Sequence, residues 1–151
     1  MRIVVQRVSE ASVRIDGNIV GSISQGLMIL VGVETIDSQS DADYLIQKLI
    51  NLRIFNDEEG KMNLSLQDVG GELLIVSQFT LHASTKKGNR PSYIRSARPE
   101  QAIPLYTYFI EQAQKEIKSK IQTGEFGADM KVSLINEGPV TIIIDSANKD
   151  F

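Results

Sequence analysis

The sequence contains no cysteine, which excludes disulfides and thiolate zinc sites and permits a reducing compartment without requiring one. It has a single histidine, His82, so a histidine-rich zinc site cannot be assembled. A glycine-rich phosphate loop is missing too. The longest apolar run, Leu27-Met28-Ile29-Leu30-Val31, falls far short of the roughly 20 residues a membrane-spanning helix needs. Gln6 and Arg7 interrupt the apolar opening Met1–Val8, so no signal-peptide core is expected and the cytoplasm is the expected compartment. With no linker, repeat or low-complexity segment, 1–151 reads as one domain, long enough to bury a core of its own. Neither a metal, a cofactor nor a membrane is expected as a partner.

What is present is ordinary in bulk. The chain is 42% hydrophobic and 23% charged, as a globular domain should be. Sixteen Lys and Arg against nineteen Asp and Glu leave a net charge of −3, which argues against a protein that coats nucleic acid along its length. The distribution is uneven. Lys86, Lys87, Arg90, Arg95 and Arg98 follow one another with no acidic residue until Glu100. Such a run fits a solvated loop or a phosphate-contacting rim.

The first third reads as strands: Ile3–Ser9, Ala11–Asp16 and Asn18–Ser24, with a hairpin signal at Asp16-Gly17-Asn18, then a buried strand over Leu27–Val33. Ala42, Leu45, Ile46, Leu49 and Ile50 make one helical stripe, with Ser40 and Asp43 spaced like a capping box. A second helix is predicted from Pro99 to about Ile121, kinking or starting at Pro104. Glu72–Gln78, Met130–Ile135 and Val140–Asp145 are further strands. Strands and helices do not alternate regularly. The prediction is therefore an α+β fold, a largely antiparallel, curled barrel-like sheet with two long helices packed on it.

Two stretches could carry chemistry. The buried run Leu73-Leu74-Ile75-Val76 ends in Ser77-Gln78-Phe79-Thr80, and hydrogen-bonding side chains at a buried strand's end must be satisfied or face a ligand. All four can address one ligand only if the strand ends or bulges within the motif. His82 would share a strand face with Thr80, but i, i+2 side chains stand roughly 6–7 Å apart, too far for a direct nucleophile–base hydrogen bond. After a strand, a lone histidine is more often a surface residue. The second stretch is Asn136-Glu137-Gly138-Pro139-Val140-Thr141. It reads either as a hairpin turn between two closing strands or, with a cis Gly138–Pro139 bond, as a backbone device that turns two carbonyls the same way toward a ligand. Read alone, each stretch fits a strand end or a turn.

Taken together and in this order, Ser77-Gln78-Phe79-Thr80 and Asn136–Thr141 resemble the paired motifs of the D-aminoacyl-tRNA deacylases, the D-tyrosyl-tRNA(Tyr) deacylase family, and the resemblance runs essentially end to end. Met1–Val8 with Arg7, Asn51-Leu52-Arg53-Ile54-Phe55 and Lys87-Gly88-Asn89-Arg90-Pro91-Ser92-Tyr93 also look like the family. The resemblance implies hydrolysis of the ester between a D-amino acid and the terminal adenosine of tRNA, acceptance of glycine mischarged on tRNA(Ala), and refusal of L-amino acids. It implies a homodimer in which Gly138 and Pro139 enter the partner's pocket to check chirality, held in orientation by Arg7. Ser77, Gln78, Phe79 and Thr80 would form the catalytic element, with Thr80 a nucleophile or, preferably, one of several groups positioning the ester. Lys86, Lys87 and Arg90 are candidate contacts to the acceptor end of tRNA. Two other readings are a non-catalytic RNA-binding module, which would have Tyr93 as the sole aromatic in its basic stretch, and a purely structural dimer.

Overall fold

A computed structural model describes residues 1–150. Its spine is β1 (Arg2–Ile15), one continuous strand where the sequence pattern predicts two. The apparent break near Glu10 is where β1 changes neighbours. Arg2–Val8 pairs antiparallel with β3 (Gly26–Gly32), and Ala11–Ile15 pairs antiparallel with β2 (Asn18–Ile23). The β1–β2 turn is tight because Asp16 and Gly17 both take positive φ, 48° and 82°, the conformation whose twist matches paired strands.

Two crossovers follow, because parallel neighbours cannot be joined by a hairpin. Helix α1 (Gln39–Asn51) carries the chain toward β6 (Glu72–Ser77), parallel to β3, and the short pair β4 (Phe55–Asn56) and β5 (Met62–Leu64) lies between them. Helix α2 (Pro99–Glu116) leads to β7 (Ile121–Thr123), parallel to β6. The remaining pairings are antiparallel, so the sheet is mixed and mostly antiparallel. It curls until its ends meet: the Lys120 ammonium donates to the Ser22 carbonyl at 2.6 Å beside the β2–β7 approach. One core lies between the sheet and the helices, where Leu27, Ile29, Leu73 and Ile75 meet Leu45, Leu49 and Phe109. A second, with Val8, Val13, Met28, Leu74 and Val76, fills the inside of the curl.

Several local expectations shift. The cap of α1 is Ser38, whose N–H donates to Asp41 Oδ2 at 2.9 Å. Asp43, the expected partner of Ser40, instead accepts from the Tyr108 hydroxyl at 2.9 Å. Helix α2 does not start at Pro104. That residue sits in its second turn, where the missing N–H leaves only the carbonyl of exposed Glu100 without its usual donor. The helix ends at Glu116 rather than near Ile121, because the backbone is already extended at Ile117 (φ −105°, ψ 122°) and Ile121 opens β7.

The largest change concerns the end of the chain. Lys131–Asp145 is a single strand, β8, and both its halves pair antiparallel with β1. Asn136–Thr141 is therefore no hairpin turn between two strands. Val8 is opposite Asn136 and Gln6 is opposite Thr141, so Glu137, Gly138, Pro139 and Val140 bulge out against Arg7 alone. Among the described residues no helix is long and apolar enough to cross a membrane.

Candidate active site

Strand β6 stops inside the Ser77–Thr80 motif. Ser77 is still in register with Val31, and the Gln78 N–H donates to the Val31 carbonyl at 2.8 Å. A single 3₁₀ turn, Phe79–His82, then takes over, with the Leu81 N–H donating to the Gln78 carbonyl at 3.3 Å. The side-chain alternation that would have split the motif between two faces ends there. Gln78 Nε2 donates to Thr80 Oγ1 at 2.5 Å, and the Ser96 hydroxyl donates to the Phe79 carbonyl at 2.8 Å. As the first residues of the turn, Phe79 and Thr80 have N–H groups with no acceptor among the described residues, the usual state of N–H groups that open a helix.

This turn borders a cavity of about 250 Å³ whose lining includes Val76, Ser77, Gln78, Phe79, Tyr106 and Phe126. Its far wall, the segment Phe126–Met130, was not singled out from the sequence, where only Gly127 before the last strand marks a turn. The Tyr106 hydroxyl donates to the Ile75 carbonyl at 3.1 Å, and burial pushes its pKa well above the ordinary tyrosine value, so it stays protonated. The one carboxylate on the lining, Asp129, is exposed and binds the Lys131 ammonium at 2.9 Å. Among the described residues, the side chain bonded to the Thr80 hydroxyl is the Gln78 amide, which cannot serve as a general base.

His82 is buried, 3% exposed, rather than on the surface. The 3₁₀ turn rotates it inward against β3, instead of leaving it on a strand face with Thr80. Its Nδ1 lies 3.7 Å from Glu34 Oε2, and neither ring nitrogen has a hydrogen-bond partner among the described residues. Glu34 in turn pairs with Arg95, which removes Arg95 from the free cations of the basic run. Lys86, Lys87 and Arg90 stay exposed on a loop whose base is closed by reciprocal N–H···O bonds between Ser84 and Ser92, 2.8 and 2.9 Å.

The second motif is braced from behind. Arg7, 8% exposed, donates from Nε to the Glu137 carbonyl at 2.9 Å, and from Nη1 to the Ile54 carbonyl at 2.5 Å and to Asn56 Oδ1 at 3.4 Å. Asn136 spans the bulge: its Oδ1 accepts from the Val140 N–H at 2.7 Å, and its Nδ2 donates to Thr141 Oγ1 at 3.0 Å. The Gly138–Pro139 bond is cis, Gly138 takes φ 135°, and both residues are exposed.

Within one chain the motifs do not meet. Ser77 aligns through Val31 and Ile3, whereas Gly138 bulges beside Arg7. Three strand spacings across the sheet and four residues along it put them on the order of 15–20 Å apart. They border different cavities as well, since Arg7 and Glu137 line one that Ser77 does not reach.

Comparison with known proteins covers nearly the whole chain. The family model for D-Tyr-tRNA(Tyr) deacylase matches residues 4–145. The D-aminoacyl-tRNA deacylase of Flavobacterium psychrophilum is 62% identical over 99% of this chain and 100% of its own, and that of Phocaeicola vulgatus is 59% identical over the same shares. The solved structure of a c-Myc DNA Unwinding Element Binding Protein, 41% identical, superposes with a TM-score of 0.92 over 96% of this chain and 98% of that one. That of a probable eukaryotic D-amino acid tRNA deacylase, 17% identical with a TM-score of 0.80, shares the fold. The strand-end turn and the braced bulge are thus held in a chain that belongs to the D-Tyr-tRNA(Tyr) deacylase family.

Proposed function

We propose that the protein hydrolyses the ester of D-aminoacyl-tRNA to free D-amino acid and tRNA in the cytoplasm, refuses the L-ester, and works as a homodimer. The observation that carries the dimeric site is the separation of the two motifs. Gly138 and Pro139 face outward, roughly 15–20 Å from the Ser77–Thr80 turn of their own chain, so only a second copy can supply one to the other. The exposed apolar side chains Val132, Ile135 and Ile143 on β8, flanking the bulge, suit a face covered by another copy.

In this reading the carbonyls of Gly138 and Pro139 engage the substrate amino group and leave no room for an L side chain. Rejection by clash discriminates more sharply than a slightly better contact to the D-form. It also admits glycine mischarged on tRNA(Ala), which has no side chain to clash. The unpaired N–H groups of Phe79 and Thr80, together with Ser77 and Gln78, stabilise the oxyanion as water attacks the ester carbonyl. The carbonyl carbon–ribose oxygen bond then breaks, and the ribose oxygen leaves with a proton, its neighbouring hydroxyl assisting. Thr80 positions rather than attacks, because its hydroxyl accepts from the Gln78 amide, which cannot serve as a general base. Lys86, Lys87 and Arg90 meet acceptor-end phosphates.

Deacylation of matched D- and L-aminoacyl-tRNA, with glycyl-tRNA(Ala) as a third substrate, tests this directly. Turnover of the D- and glycyl esters with the L-ester spared is expected. Binding without turnover would make the chain an RNA-binding module, and a monomer by light scattering at assay concentration would remove the shared site.

A further inference from the structure

We infer that Phe79 and Tyr93 form a stacking platform for the unpaired nucleotides that precede the terminal adenosine, an inference that rests on the proposed function. The rings stand edge to face, centroids 5.1 Å apart and planes at 72°. Both are open to solvent, Phe79 at 54% and Tyr93 at 40% exposure, and Ile94 beside them is 84% exposed. Apolar surface of this kind, held in place and left uncovered, marks a contact site.

The platform is fixed from both sides. Ser96 holds the Phe79 carbonyl through its hydroxyl, and the Ser96 N–H donates to the Tyr93 carbonyl at 3.0 Å. Tyr93 directly follows Ser92, which closes the base of the loop carrying Lys86, Lys87 and Arg90. Phe79 also borders the cavity beside Ser77, so a base stacked here would continue from a nucleoside seated there. Charge selects the occupant. The chain has no acidic residue between Glu72 and Glu100, and aromatic faces beside a cationic loop suit single-stranded nucleic acid, whose bases stack while its phosphates meet the cations.

The test compares wild type, Tyr93→Ala and Tyr93→Phe on D-aminoacyl-tRNA and on the corresponding D-aminoacyl-adenosine. Loss of one stacked base lowers affinity on the order of tenfold. The kcat/KM of Tyr93→Ala is therefore expected to fall about tenfold further on the tRNA than on the nucleoside ester, with Tyr93→Phe close to wild type. Equal losses on both substrates, or no loss on either, overturn the platform. So does a changed association state of Tyr93→Ala by light scattering, which would assign the patch to a contact between copies. If wild type hydrolyses neither ester, the proposed function fails, and anisotropy of uncharged tRNA still reads the platform. Tyr93→Ala should then cut the affinity advantage of intact tRNA over tRNA trimmed of its unpaired 3′ nucleotides by about tenfold. An advantage left unchanged by the substitution overturns the inference.

Discussion

Replacing Gly138 by alanine tests the braced bulge, and the structure sets the size of the effect. A residue with a side chain at φ 135° costs on the order of 1–3 kcal/mol in backbone conformation alone. The new Cβ would lie 2.9 Å from Arg7 Nη2 and 2.9 Å from Val140 Cγ2. The guanidinium would have to move while still bonded to the carbonyls of Glu137 and Ile54, and weakening one charge-assisted bond adds roughly 1 kcal/mol. The expected sum is about 2–4 kcal/mol, or roughly 5–15 °C in Tm for a protein of this size. Gly60→Ala is the control: Gly60 also has positive φ, 77°, but a Cβ there meets nothing within 4 Å. Thermal unfolding and D-aminoacyl-tRNA deacylation, measured on both variants, separate contact from conformation. Gly138→Ala should melt below Gly60→Ala and lose deacylation, while Gly60→Ala keeps it. If Gly138→Ala melts with Gly60→Ala and deacylates within about twofold of wild type, Arg7 does not hold the bulge as argued.

Three further outcomes are expected. Thr80→Ala should retain measurable deacylation while Ser77→Ala loses more; a trapped acyl-enzyme on Thr80 would reverse the order. Neutralising Lys86 and Lys87 should flatten the salt dependence of tRNA binding by roughly 0.7–0.9 log units per cation lost, and an unchanged slope would place the RNA elsewhere. Burial pushes the Asp145 carboxyl up, but hydrogen bonds from Arg2 and from the N–H groups of Asn148 and Ala147 outweigh it and hold it below its ordinary 3.8. A depressed carboxylate contributes stability present above the unfolded value and lost as pH falls through the folded one. Unfolding free energy should thus drop below about pH 4, and Asp145→Asn, less stable at neutral pH, should show a shallower acid loss.

Much of the fold was legible because burial imposes periodicity. The stripe of α1, the alternation of β1 and the continuous apolar run of β6 each report the face they bury. Legibility failed where partners decide. One strand read as two because β1 exchanges β3 for β2 near Glu10, and two strands with a turn proved to be β8, because both halves pair with β1. His82 read as exposed because nothing local announces that a 3₁₀ turn will rotate it inward onto Glu34.

By itself, the sequence determined the α+β class, the absence of thiolate and histidine-rich metal chemistry, and the two motifs whose joint occurrence resembles one family. These depend on residue type and order, which a chain carries unfolded. Tertiary structure alone decided the rest. It ended β6 within its motif, set Arg7 beneath a four-residue bulge, and kept the two motifs apart in one chain. It also brought Phe79 to Tyr93, giving the basic stretch the second aromatic that its own sequence lacks. Each is a matter of which distant segments become neighbours. Strand pairing and crossover connections determine that, and local propensity does not record it.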